Sequence, residues 1–253
     1  MTMYLVAAIL SVAVAGFIFF SRLPSSSTPS EELLQRIQER FINPAEAERI
    51  TNRLEQLHYF RFALPSDIER LKADVADSLS RYGVLSTIES SLTGLPLDLR
   101  YYELDGETLF ERGGFREKLD QMQPLFKQLG LRLEVTEYTE QRSGSGLDLS
   151  FRLNGKKYVA FHRYTGKCGW STAASRFAEI VNDQLSLQQS HERLFLINSG
   201  NDGAAVFLSP DQFGLVDAVL KDQLWKPLRL KEWQRFNTVD RMEQVSVTQD
   251  VLR

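Results

Sequence analysis

"LDLSFRLNGKKYVAFHRY", Leu147 to Tyr164, is the stretch on which the reading of this chain turns. Leucine and phenylalanine alternate with polar residues from Leu147 to Leu153, the period of a strand with one buried face. Asn154-Gly155 then supplies the pair that tolerates left-handed backbone, as the tightest hairpin turns require. "KYVAFHRY" is the returning strand. Just upstream "LRLEV", Leu131 to Val135, alternates in the same way, and "TEQRSGSG" between the two reads as a flexible loop. Three consecutive antiparallel strands are expected here.

Helical and strand signals extend the pattern in both directions. "WSTAASRFAEIVNDQL" carries Trp170, Ala174, Phe177, Ile180, Val181 and Leu185 at helical spacing. "RLFLIN" and "AAVFL" follow, nearly continuous in apolar residues, as strands central in a sheet are. Ser209-Pro210 opens a helix reaching Leu220, and Trp225, Trp233 and Phe236 predict a tail that packs back on the domain. Before the strands, "FREKLDQMQPLFKQLG" is a helix with Pro124 inside it and Gly130 as its stop. "LRYYEL", Leu99 to Leu104, reads as a short strand, with "DGETLFERGG" as a turn-rich connection after it.

Three amphipathic helices come earlier. "EELLQRIQERF" aligns Leu33, Leu34, Ile37 and Phe41. The next opens on Asn43-Pro44, a cap and a first-turn proline, and ends beside His58, which reads as packing or a solvated terminus. The third begins with the capping box Ser66-x-x-Glu69, runs through Ile68, Leu71, Val75, Leu79 and Tyr82, and stops at Gly83. The expected fold is α+β, with helices packed on a mostly antiparallel sheet of about five strands.

Residues 3–20, "MYLVAAILSVAVAGFIFF", hold no charge and no proline. As a helix they would span roughly 27 Å, close to a bilayer's hydrocarbon thickness. A cleaved signal peptide would need a basic start and an end near the "AVA" of Ala13 to Ala15; no Lys or Arg precedes the run, and "GFIFF" continues it. A single-pass anchor is the reading that fits. Arg22 on its C-terminal side leans the folded part toward the cytoplasm, one residue that leaves the extracytoplasmic orientation open. The chain thus divides into an anchor (1–20), a Ser/Pro-rich tether (21–30), a helical subdomain (31–95), an α+β domain (96–240) and a C-terminal tail (241–253).

The formal net charge of −3 gives no basic excess for a phosphate backbone, so nucleic acid is not an expected partner. His58, His162, His191 and Cys168 do not show metal-ligand spacing, and no metal or cofactor is expected. "NSGNDG", Asn198 to Gly203, joins two strands. A phosphate cradle would be followed by a helix, and a calcium loop would carry more acids than Asp202. Asp148 is the residue a metal-dependent nuclease could use, but the expected third strand lacks the acid and lysine that would complete such a site. Cys168 has His162 six residues away and no base at closer spacing.

Recognition remains. "HRYTGKCGW", His162 to Trp170, gathers the residue types that dominate interfaces, although Trp170 can equally begin the helix stripe and be core. The expected function is a membrane-tethered, non-catalytic domain that binds another protein (an adaptor, inhibitor or immunity-type factor) through Arg163, Tyr164, Trp170 and Asp202. The alternative is a membrane-anchored hydrolase or nuclease with a degenerate site whose catalytic residues the sequence does not identify.

Overall fold

The computed structural model describes residues 42–85, 97–144, 146–166, 169–198 and 203–237. The proposed anchor, the tether, Asp202, Cys168 and the tail 241–253 lie outside these residues. Among the described residues no helix is long and apolar enough to cross a membrane.

The strands form two sheets. β1 (Tyr101–Glu103), β6 (Ala204–Leu208) and β5 (Arg193–Ile197) make an antiparallel sheet in the order β1-β6-β5. β2 (Val135–Ser143), β3 (Gly146–Leu153) and β4 (Lys156–Tyr164) make a second antiparallel sheet, a meander. The single sheet of about five strands expected from the sequence is therefore corrected to six strands in two sheets. Side-chain patterning gives the reason. β6 is buried along its whole length, so its sheet must be covered on both faces, whereas β3 buries every second residue and leaves its other face to solvent.

The β1-β6-β5 sheet divides two apolar cores. Phe195, Ile197, Val206 and Leu208 point to one side, where α1 (Pro44–Gln56), α2 (Ile68–Tyr82) and α6 (Pro210–Val219) supply Ile50, Leu54, Leu71, Val75, Leu79 and Phe213. Leu194, Leu196, Ala205 and Phe207 point to the other. There they meet α4 (Gly114–Gln128), α5 (Gly169–Leu187) and the inner face of the meander. Phe207 sits edge-on to Tyr102 and Phe126, with ring centroids 5.9 and 6.2 Å away, so one side chain joins two strands and α4. The outer edge of β5 is covered by Leu228, whose N–H donates to the Leu196 carbonyl at 2.9 Å. Trp233, on α7 (Leu230–Phe236), is buried and donates from Nε1 to the Asn198 carbonyl at 2.6 Å, so the tail does pack back.

Local signals that hold have visible causes. Asn43 caps α1 by accepting the Glu46 N–H at 2.9 Å, and Ser209 and Gln212 form a reciprocal capping box at α6. Asn154 and Gly155 both take positive φ, 53° and 83°, and close the β3–β4 hairpin. α4 runs unbroken through Pro124.

Four local expectations fail. Leu131–Glu134 is not a strand; β2 begins at Val135 and continues through Thr139 to Ser143, read as loop. The loop reading misled because Glu140, a charge, faces inward, where it accepts the Gly113 N–H at 2.8 Å. "DGETLFERGG" contains a short helix, α3 (Gly106–Phe110), capped by Asp105. Ser66 caps nothing: Asp67 holds the cap position of α2 and makes no side-chain bond there. Tyr82, assigned to the apolar stripe, is 59% exposed at the last turn of α2.

Candidate functional site

The end of the meander nearest the start of α5 gathers the residues that the sequence marks for recognition. β4 bulges there: Leu147 pairs with Tyr164 and Leu149 with Phe161, so Asp148 stands opposite both His162 and Arg163. Arg163 takes φ +47°, a left-handed conformation unfavourable for a residue with a Cβ. Asp148 compensates. Its Oδ1 accepts the Arg163 N–H at 3.0 Å and lies 2.9 Å from His162 Nδ1. The Arg163 N–H, foremost, and the His162 contact hold the Asp148 carboxyl below its ordinary range. The acid proposed for a nuclease thus closes a bulge.

Bulging turns Arg163 into solvent and sends Tyr164 inward. Tyr164 is half-buried; its hydroxyl donates to Thr172 Oγ1 at 3.1 Å, and its ring meets Phe161 and Phe110 at 5.1 and 6.1 Å. Trp170 does not join the apolar stripe of α5. It stands 42% exposed in the first turn, while Ala173, Ala174, Phe177, Ala178, Ile180, Val181 and Leu185 face the core. Its backbone is fixed by α3: a Cβ at Gly106 would lie 2.7 Å from the Trp170 carbonyl oxygen. The Phe110 ring lies against Gly169, and the Arg142 guanidinium covers that ring at 5.1 Å while bonding the Phe110 carbonyl.

Arg163 and Tyr164 at the end of β4 and Trp170 at the start of α5 are therefore near in the chain and fold, with Phe110 packed on Tyr164 and Gly169 and Arg142 packed on Phe110. Phe110 and Arg142 were missed, because each was read inside a connection. Asp202 lies outside the described residues, and so do Lys167 and Cys168.

Nothing else among the described residues is better formed. No group of three or more His, Cys, Asp or Glu could hold a metal ion. Two depressions of about 440 Å³ are open to solvent, one lined by Asp217, Gln223, Lys226, Leu228, Glu232, Arg235 and Phe236, the other by Arg61, Phe62, Gln128 and Leu129. In the first, Lys226 is already paired with Asp217 at 2.7 Å. No family model, curated protein or solved structure matches the chain.

Proposed function

We propose that this chain is a membrane-tethered, non-catalytic protein-binding domain, an adaptor, inhibitor or immunity-type factor, anchored through residues 3–20. Arg163, Tyr164, Trp170 and Asp202 are the residues assigned to its partner. The observation that carries the reading is Trp170: a large aromatic side chain exposed in the first turn of α5, on a backbone that α3 approaches closely at Gly106. Aromatic side chains with few rotatable bonds lose little entropy on binding, and aromatic and arginine side chains dominate interface energetics. Tyr164 supports this face from beneath, through its bond to Thr172, more than it displays itself.

One observation favours the enzymatic alternative, the 2.9 Å contact of Asp148 with His162, a pair that could serve as a base and its orienting acid. Against it, the same Asp148 oxygen is engaged by the Arg163 amide.

The test is capture from detergent extracts by the full-length protein, with wild type compared to Arg163→Ala and Trp170→Ala by quantitative mass spectrometry. A partner retained by wild type and depleted about tenfold or more by either variant, at unchanged Tm, is the expected result. Hydrolytic activity abolished by Asp148→Ala, with capture intact, would replace this reading by the enzymatic one.

A further inference from the structure

Arg100 is fully buried, and its guanidinium bonds the segment that follows α1, β6 and the residue just before β5. Nε donates to the Tyr59 carbonyl at 2.5 Å and Nη2 to the His58 carbonyl at 3.4 Å, both just past the C-terminus of α1. Nη1 donates to the Phe207 carbonyl of β6 and to Glu192 Oε2, each at 2.9 Å. Glu192, 1% exposed and immediately before β5, spends its other oxygen on Arg61 at 2.9 Å. The Phe62 and Tyr59 rings close over the guanidinium, with its carbon 4.5 and 5.2 Å from their centroids. Arg61 and Phe62 belong to the 3-10 turn Tyr59–Phe62 that joins α1 to α2.

We infer that the Arg100–Glu192 pair is a latch that makes seating of α1, the Tyr59–Phe62 turn and α2 on the sheet all-or-none. These elements open together while the meander stays folded. The argument is electrostatic. Closed, the guanidinium is satisfied by a carboxylate and three carbonyls; fully open, both charges regain water. A partly lifted α1 gives neither, because two carbonyl acceptors leave while Glu192 and Phe207 still hold the charge in a dry setting. Intermediate states are the costly ones, and a costly middle produces a two-state element.

Core partition permits this motion. α1 and α2 bury their side chains in the core on one face of the sheet, and the meander contributes only to the other. Of the turn, Phe62 alone reaches that second core. Residues 1–41 join the chain directly ahead of α1, so if they tether the domain as proposed, load on the tether reaches the latched elements first. That consequence rests on the tether reading; the latch does not.

Hydrogen–deuterium exchange of the full-length protein in detergent tests the latch, using Glu192→Gln, Arg100→Met and the double variant Arg100→Met/Glu192→Met. The expected result is that peptides covering residues 44–82 exchange together, at least about tenfold faster in each single variant, because Arg100 loses the Glu192 carboxylate or buried Glu192 is left with half-exposed Arg61. Peptides covering 146–164 keep their wild-type rate. In the double variant, where both buried charges are gone and only the half-exposed Arg61 loses a partner, exchange over 44–82 is slower than in either single variant. If Arg100→Met does not fold, Glu192→Gln carries the comparison alone. The latch is overturned by unchanged exchange in Glu192→Gln, by equal acceleration in the meander, by acceleration confined to 58–62, or by a double variant no slower than the single ones.

Discussion

Replacing Asn154 separates two contributions that a single turn residue combines. The first is conformational: at φ +53° asparagine is tolerated far better than alanine, a difference of about 1 kcal/mol. The second lies in the side chain. Oδ1 accepts the Glu134 N–H at 2.8 Å, and Nδ2 donates to the Arg132 carbonyl at 2.9 Å and to Gln184 Oε1 at 2.7 Å. These bonds tie the hairpin to the segment entering β2 and to α5. Exposed bonds of this kind contribute about 0.5–1 kcal/mol each, and the one to buried Gln184 about 1.5. Asn154→Ala should therefore cost about 3.5–4.5 kcal/mol, and Asn154→Gly, which keeps the backbone conformation, about 2.5–3.5. Urea unfolding of the full-length protein, followed by far-ultraviolet circular dichroism at constant m-value, measures both. A glycine variant as unstable as the alanine variant would refute the conformational part. An alanine variant within 1 kcal/mol of wild type would refute the hydrogen-bond part.

Two further outcomes follow from the same strands. Gly155→Val should destabilise by about 1–2 kcal/mol in the same urea assay through backbone strain alone. A Cβ at that position meets nothing within 4 Å while φ is +83°, so an unchanged midpoint would contradict the turn geometry. The Asp148 bond to Arg163 should be lost only in acid. A carboxylate whose folded pKa is lowered contributes above its ordinary value, 3.8, and the contribution disappears as pH falls through the lower folded value. The Arg163 amide proton shift should titrate with a midpoint below 3.8, and His162→Ala should raise that midpoint only partway, because the Arg163 amide is the larger cause. A midpoint at or above 3.8 in the wild type would show that the bulge is not held in this way.

Residues that act on near neighbours were legible in the sequence, and residues that act across the fold were not. Asn154-Gly155, Asn43-Pro44 and the Ser209-Pro210 helix start use local backbone geometry, and each forms as its spacing implies. The two-sheet division was hidden because strand patterns specify which faces are buried, not which strand pairs with which; β1 meets β6 at Tyr102 and Ala205, partners 103 residues apart in the sequence. Arg100 and Glu192 are 92 residues apart, and nothing near either one distinguishes it from a surface charge. Glu140 concealed β2 by the same route, since an inward carboxylate breaks the alternation that identifies a strand. At the proposed recognition face the residue types were visible in "HRYTGKCGW", but the different exposures of Arg163 and Tyr164 follow from a bulge that has no sequence signature.

That bulge connects the chemistry the sequence hints at with the function proposed. An earlier register shift, between Leu149 and Ser150, already turns Phe161 inward beside Ala160; a regular strand from there would put Arg163 on the core side with Phe161. One extra residue shifts the phase, so Phe161 and Tyr164 both pack inward while His162 and Arg163 are exposed. A non-glycine residue at φ +47° costs about 1 kcal/mol, and Asp148 offsets this by accepting the amide of the strained residue itself. An acid that resembles a general base is thereby committed to orienting a cation, and His162, bound to the same oxygen, reinforces that commitment. Holding an arginine outward before any partner arrives removes part of the ordering cost of binding, which is where a rigid recognition surface gains affinity. On this argument Asp148→Ala should weaken partner capture through Arg163 rather than through any lost chemistry, and Asp148→Asn, which can still accept the amide, should restore most of it. Equal losses in both variants would mean that the negative charge matters in its own right.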